Sequence, residues 1–325
     1  MSVIAPVPAP RVERVTDATD AAALRNAAWI DLIDPSDEAR AAVERETGLY
    51  VFSREDTTEI ESSSRLYLEN NALYLTMPVI ARDADNQRFS SSIGFIFAPH
   101  LLITVRFAKV LPIELFAERL DKIHPAPCDA AHVFVGLLEA LADGMADNLE
   151  RSRAELDQAS HCIFGKGNSG PLVRNNELRQ VLTDIGRVGD LLSTIRDSQL
   201  ALGRLVHFVS HMTEEWLPQD LRPKLKTLRQ DIASLADYDS HLTNKVQFLL
   251  DAILGFINID QSNTIKLMTV VGVIGVPPTL IASIYGMNFE LMPELKWAWG
   301  YPFALALMLL SAVVPVLWFK RKGWL

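Results

Sequence analysis

The stretch LMTVVGVIGVPPTLIASIYGMNFELMPELKWAWGYPFALALMLLSAVVPVLWFKRK, Leu267 to Lys322, decides the architecture of this 325-residue chain. Leu267 to Phe289 contains no Asp, Glu, Lys or Arg, and neither does Trp297 to Phe319. Each run exceeds the roughly 20 residues that an α-helix needs to cross the hydrocarbon core of a bilayer. Helices in a globular core seldom run so far without a charge. The sequence therefore predicts two membrane spans, at about 267–285 and 299–319, joined by a polar loop, 286–298.

Working outward, Lys320, Arg321 and Lys322 follow the second span directly, whereas Lys296 is the only basic residue of the loop. Basic residues concentrate on the cytoplasmic side of a membrane. The N-terminal MSVIAPVPAPRVERVTDATD lacks the apolar segment of a secretory signal. The expected topology puts both termini in the cytoplasm and the loop outside. A third uncharged stretch, FSSSIGFIFAPHLLITV from Phe89 to Val105, is shorter, opens on serines and is broken by Pro99 and His100. It reads as a strand pair in a buried sheet.

The chain is 49% hydrophobic and 22% charged, with a net charge of −9. From residue 251 onward, Asp251, Asp260, Glu290 and Glu294 are outnumbered by Lys266, Lys296, Lys320, Arg321 and Lys322, so the negative excess lies entirely ahead of the spans. An acidic cytoplasmic body argues against nucleic acid as a partner and suits the accumulation of cations. Cys128 and Cys162 fit no zinc or redox spacing and read as reduced, structural thiols. No phosphate-binding loop and no catalytic constellation is present, so the chain is not expected to be an enzyme.

Residues 1–128 mix strand and helix signals. WIDLID, Trp29 to Asp34, alternates as a strand does. Pro35, Ser36 and Asp37 open a helix that Gly48 stops. RLYLENNALYLTMPVI reads as two strands turning at Asn70-Asn71. An α/β cytoplasmic domain follows. Residues 129–265 are helical: one helix from Asp129 to about His161, a second from Leu172 to about Met212, and a third that opens at Pro218 and Pro223 and has no convincing stop before Tyr285. At 1.5 Å per residue that third helix would be about 90 Å long, the length of a stalk. Residues 266–325 complete the chain as a transmembrane hairpin.

Two faces are legible on the long helix. Positions 225, 228, 232, 235, 239, 242, 246, 249, 253 and 256 alternate in threes and fours and are apolar except for Asp239. This seam packs on other helices, and one polar residue in such a seam sets register. A second face carries Asp251, Gly255, Asn258, Ser262, Ile265, Thr269, Gly272, Val276, Thr279 and Ser283. Small and hydroxyl residues on one face of a membrane helix either pack closely or line water. The polar residues Asp251, Asn258 and Ser262 continue the stripe before the membrane begins and favour water. With one such helix per chain, a pore requires several copies about an axis, and a homo-oligomer is expected.

The stripe leads to Gly286, Met287 and Asn288. Gly286 has the freedom to let the chain leave the helix, and Asn288 offers a carbonyl oxygen beside an amide donor. Repeated by symmetry, these oxygens form a neutral ring. Such a ring suits Mg²⁺, which dehydrates reluctantly and is best held through its own waters. Glu290 and Glu294 nearby would raise the local cation concentration. The alternative is an ordinary helix-ending glycine followed by a loop asparagine.

YGMNFELMPEL at the outer end of the first of two C-terminal spans, PPTLIASIYGMNF within that span, GFINIDQSN before it and the terminal KRKGWL closely resemble the CorA family of magnesium channels, whose signature is Gly-Met-Asn. The order of domains matches over essentially the whole chain. The resemblance implies a funnel-shaped homopentamer in a bacterial inner membrane, with an α+β cytoplasmic domain, long helices and two C-terminal spans. It implies passive influx of Mg²⁺, with Co²⁺ and Ni²⁺ as further cargo, and a selectivity filter at Gly286, Met287 and Asn288. Thr279 corresponds to a polar pore ring, Ile265 and Met268 to an apolar constriction, and Asp251 to an acidic ring below it. Closure by cytoplasmic Mg²⁺ at acidic sites between protomers is also implied, and Asp231, Asp237 and Asp239 are the candidates on the long helix.

Two other readings stand beside this one. A zinc transporter of the same superfamily is compatible with an intact Gly-Met-Asn, and His207 and His211 have metal-ligand spacing on a helix. A membrane-tethered coiled-coil scaffold accounts for the seam but not for the polar stripe.

Overall fold

The computed structural model describes residues 11–15, 24, 27–58, 65–83, 87–122, 129–164, 175–287, 292–293 and 297–324. The chain divides into two units, Met1–Leu249 and Leu250–Leu325.

In the first unit, Asn70 and Asn71 take φ of 48° and 63°. This left-handed pair is what a two-residue hairpin turn requires, and asparagine tolerates it better than other non-glycine residues. It joins β3 (Leu66–Glu69) to β4 (Ala72–Arg82), in the register Glu69 opposite Ala72. The uncharged stretch from Phe89 divides at Pro99-His100 into β5 (Arg88–Ala98) and β6 (Leu101–Arg106), as the sequence predicts. With β1 (Arg11–Val15) and β2 (Ala27–Ile33) they form one sheet in the order β1-β2-β6-β5-β4-β3. The β1, β2 and β6 strands run parallel and the other neighbours antiparallel.

Between β2 and β4 lie α1 (Asp37–Thr47) and the short α2 (Arg54–Thr58). The predicted start and stop of α1 hold: the Ser36 hydroxyl accepts from the Ala39 N–H at 3.2 Å, and Gly48, at φ 70°, donates its N–H to the Glu44 carbonyl. Helix α1 buries Ala39 and Val43 in a core with Ile30, Leu32, Ile96, Ile103 and Val105, on one face of the sheet. Alternation along the strands sends Trp29, Asp31, Thr104 and Arg106 to the other face. There Trp29 meets Phe116 of α3 (Leu111–Lys122), with ring centroids 5.9 Å apart. Phe95 and Phe97 meet Phe134 of α4 (Ala130–Phe164) at 5.6 and 4.4 Å.

After α4 come α5 (Asn175–Met212) and α6 (Leu221–Tyr285). The start expected for α5 at Leu172, and Cys128, lie outside the described residues. Most of the apolar seam of α6 is buried: Leu225, Leu228, Ile232, Leu242, Val246, Leu249 and Ile253 are core residues, and Leu235 and Phe256 are half-buried. Asp239, the exception, is 1% exposed and is met by Arg196 of α5, whose Nε lies 2.8 Å and Nη2 2.7 Å from Asp239 Oδ2. Nη2 also donates to the Thr243 hydroxyl at 3.0 Å. The single polar residue of the seam thus ties α6 to α5 through an ion pair. On the other side Lys245 pairs with Asp157 of α4.

His132, in the first turn of α4, ties two helix beginnings together. Asp129 caps α4 by accepting from the His132 N–H at 2.8 Å. The imidazole faces Asp129 through Nδ1 at 2.6 Å and Asp220, just ahead of α6, through Nε2 at 2.9 Å. Burial works against the imidazolium, but hydrogen bonds and charge from Asp129 and Asp220 prevail and raise its pKa above the ordinary 6.5. A raised folded-state pKa stabilises the fold fully below the unfolded value, and the contribution fades as pH rises through the folded one. His132→Ala is therefore expected to destabilise the protein at roughly pH 6 and much less at roughly pH 9. Because the side chain is 35% exposed, solvent screening holds the effect to at most about 1 kcal/mol. Urea midpoints measured at both pH values check this; an equal loss at both would assign the residue to packing alone.

The second unit contains the remainder of α6 and α7 (Gly300–Arg321). Both helices are long and apolar enough to span a membrane, and α7 begins one residue beyond the expected start of the second span. At 1.5 Å per residue, the 22 residues of α7 cover about 33 Å, the thickness of a hydrocarbon core. Trp297, Trp299 and Tyr301 are exposed at its beginning, and Trp318 and Trp324 at its end. Aromatic residues at both ends are what the two interfaces of a bilayer favour.

Candidate ion pathway

The stripe from Asp251 to Ser283 lies on one continuous helix, α6. Asp251, Gly255, Asn258, Ser262, Ile265, Thr269, Val276, Thr279 and Ser283 are exposed, as is Met268; Gly272 is half-buried. The other faces of this segment are exposed too, Leu267, Val271, Leu280 and Ile284 among them, but the hydroxyl groups of the stripe are the ones that need partners in a membrane, because unmatched polar groups are costly in hydrocarbon. Thr269 and Thr279 lessen that cost by donating back to their own helix: Thr269 to the Ile265 carbonyl at 2.8 Å, and Thr279 to the carbonyls of Gly275 at 3.2 Å and Val276 at 2.8 Å. Each hydroxyl oxygen keeps its lone pairs for water.

Pro277 and Pro278 lie inside α6. Proline has no N–H, so the carbonyl oxygens of Val273 and Ile274 lose their usual partner four residues on. Two backbone acceptors are thus added in the stretch between Gly272 and Thr279.

At the end of α6, Gly286 does not use a left-handed backbone: among the described glycines only Gly48 and Gly323 have positive φ. The helix tightens instead. The Gly286 N–H donates to the Ala282 carbonyl at 3.0 Å and the Met287 N–H to the Ile284 carbonyl at 3.2 Å, an α turn followed by a 3₁₀ turn. A Cβ on Gly286 would stand 3.2 Å from the Ala282 carbonyl oxygen, a tight contact within the last turn. Met287 is exposed. Asn288, Glu290 and Glu294 lie outside the described residues.

The regulatory candidates divide. Asp231 and Asp237 are exposed on α6, whereas Asp239 is buried against Arg196. Burial pushes the Asp239 carboxyl up, and the Arg196 guanidinium pulls against it. His207 and His211 are exposed on α5. Among the described residues no group of three or more His, Cys, Asp or Glu is placed to hold a metal ion. Sequence reasoning missed the buried network on the sheet, where Asp31 Oδ1 accepts from Thr104 at 2.7 Å and Arg106 Nε at 3.0 Å, Oδ2 accepts from Arg106 Nη2 at 2.7 Å, and the same Nη2 reaches Glu114 at 2.6 Å. Its one sequence signal is the charged residue in each of two otherwise apolar strands, WIDLI and LLITVR.

A family model described as CorA-like Mg²⁺ transporter protein matches residues 25–321. The chain is 34% identical over 306 residues to the magnesium transport protein CorA of Escherichia coli (strain K12), with 93% of each protein covered. Its fold is similar to the complete structure of the CorA magnesium transporter from Methanocaldococcus jannaschii, at a TM-score of 0.74, 19% identity and 91% of each chain. It is also similar to the ZntB cytoplasmic domain from Vibrio parahaemolyticus, at a TM-score of 0.55, 14% identity, 72% of this chain and 88% of that one.

Proposed function

Because the chain belongs to the CorA-like Mg²⁺ transporter family and is a Mg²⁺ transport protein, we propose that it works as a homopentameric channel in a bacterial inner membrane, with both termini cytoplasmic. The observation that carries this reading is the continuity of α6: one helix bears the stripe from Asp251 through a membrane-length apolar segment to Gly286. Copies of α6 about an axis would cover the stripe from lipid and leave a hydrated path. Ile265 and Met268 would narrow that path, and Asp251 would sit beneath them as an acidic ring.

In this reading Gly286, Met287 and Asn288 form the filter, with Asn288 holding Mg²⁺ through its waters. Glu290 and Glu294 attract cations to the mouth. A divalent ion crossing 100 mV, negative inside, is driven by roughly 4.6 kcal/mol, so influx needs no chemical fuel. Co²⁺ and Ni²⁺ are proposed as further cargo. Cytoplasmic Mg²⁺ is proposed to close the channel at exposed carboxylates between protomers, with Asp231 and Asp237 as the accessible candidates on α6.

Reconstitution into liposomes with a low-Mg²⁺ interior tests the reading. Mg²⁺ uptake that rises with an inside-negative potential and falls as internal Mg²⁺ accumulates is expected. Proton-coupled Zn²⁺ uptake without Mg²⁺ flux would replace it with a zinc transporter, and absence of any divalent flux would leave a tethered scaffold.

A further inference from the structure

The end of α7 is an ordered structure. The Lys322 N–H donates to the Trp318 carbonyl at 3.1 Å, the Gly323 N–H to the Lys320 carbonyl at 3.2 Å and the Trp324 N–H to the Phe319 carbonyl at 3.0 Å. Gly323 has φ 70°. The last two bonds, crossing over a left-handed glycine, are a Schellman cap, with its accompanying contact between the residue after the glycine and the third residue from the helix end. That contact is Trp324 on Phe319, stacked at 5.4 Å and 23°. Phe319 is buried beneath it, while Trp324 is 40% exposed. On the neighbouring face the Lys322 ammonium lies 4.8 Å from the centroid of the Trp318 ring.

At 3.6 residues per turn, Arg321 and Lys322 fall within about 60° of Trp318 around the axis, whereas Lys320 is about 160° away. Arg321 and Lys322 therefore stand to either side of Trp318, Lys322 on the side of Phe319 and the Trp324 ring stacked on it, and Lys320 stands opposite Trp318. Their place is the membrane-water boundary, since Trp297 to Phe319 carries no Asp, Glu, Lys or Arg. A free helix C-terminus is itself negative and draws cations toward it. Holding Arg321 and Lys322 at a fixed depth on either side of Trp318, whose indole settles at headgroup level, makes a receptor for a negative group at that depth. The interfacial location selects a lipid over a soluble anion, because a headgroup is supplied there at high local concentration and its acyl chains lie along the exposed apolar flank of α7, including Leu317 and Val314.

We propose that Arg321 and Lys322, set at the capped helix end on either side of Trp318, with Trp324 beside Lys322, bind the headgroup of an anionic phospholipid. The proposal rests on the membrane reading of α7. It is tested by tryptophan quenching with brominated lipids, in a Trp297→Phe/Trp299→Phe background that leaves Trp318 and Trp324 as the tryptophans of this unit. Brominated phosphatidylglycerol is expected to quench at lower mole fraction than brominated phosphatidylcholine, by on the order of five-fold per cation engaged. Arg321→Gln/Lys322→Gln should abolish the preference and Lys320→Gln should largely spare it. Gly323→Val, which changes no charge but forbids the left-handed cap, should weaken it strongly; Trp324→Leu, which removes the stack without straining the backbone, should do the same if Gly323→Val fails to fold. Excess inorganic phosphate should not compete.

No quenching by either lipid would overturn the membrane reading itself. Equal quenching by both lipids, a preference lost equally on Lys320→Gln, one untouched by both cap variants, or one abolished by phosphate would each overturn the site while leaving the membrane reading in place.

Discussion

Asn288→Ala is expected to reduce Mg²⁺ uptake into liposomes by about tenfold or more, with little change in stability. The reasoning starts from the ion. Mg²⁺ keeps its inner water shell, so a site at the mouth of a pore works by accepting and donating hydrogen bonds to those waters. One such bond is worth about 1 kcal/mol net, a factor of about five. In a symmetric assembly a single substitution removes it from every protomer at once, and the losses compound. A charged replacement is expected to fail differently: Asn288→Asp should bind the ion more tightly and pass it more slowly, since conduction requires a site that the ion can leave. Initial rates at several external Mg²⁺ concentrations separate the two, with a weaker half-saturation for alanine and a lower plateau for aspartate. Uptake by Asn288→Ala equal to wild type would remove Asn288 from the filter.

Arg106→Met should have the largest effect on stability, about 3–5 kcal/mol, because it strips a guanidinium from a carboxylate that stays buried. Arg106 and Asp31 both have side chains 0% exposed, at 2.7 Å. Burial penalises the Arg106 charge, yet hydrogen bonds and charge from Asp31 and then Glu114 outweigh it and hold the pKa above its ordinary range. After substitution Asp31 would retain the Thr104 hydroxyl, which itself accepts from Trp29 Nε1 at 3.0 Å, but would lose the guanidinium that bonds both of its oxygens. Replacing both members, as Asp31→Leu/Arg106→Met, should recover most of the loss, since apolar residues of similar volume substitute well for a buried pair. The urea midpoint of the full-length protein, followed by circular dichroism, reads Arg106→Met, Asp31→Leu and the double variant. A single-variant loss below about 1 kcal/mol, or a double variant as unstable as the sum of the singles, would contradict the argument.

The pair also shows where sequence reading stops. A charged residue in each of two apolar strands was visible in WIDLI and LLITVR, but their partnership depends on β2 and β6 being adjacent and parallel, with Asp31 opposite Thr104 and Ile33 opposite Arg106. That adjacency joins residues some 75 positions apart, and no local pattern encodes it. Asp239 is a parallel instance. The seam of α6 announced a polar exception, yet its partner Arg196 lies 43 residues away.

By itself the sequence determined what short-range physics can settle. The absence of charge from Leu267 to Phe289 and from Trp297 to Phe319 is long enough to demand a bilayer. Ser36 and Gly48 bound a helix through side-chain and left-handed capping, and Asn70-Asn71 turn a hairpin because asparagine accepts positive φ. The ten-residue stripe and the Gly-Met-Asn signature needed only helical periodicity and the known run of residues. Tertiary structure alone decided which charges meet in the core, that Gly286 closes a tightened helical turn, and that the basic tail ends in a stacked cap. Each of these depends on atoms brought together in space or on a backbone angle that several sequences would allow. The reason is one of free energy: local signals are worth a few tenths to about 1 kcal/mol wherever they occur, whereas a buried charge has a value of either sign that is set only once its neighbours are known.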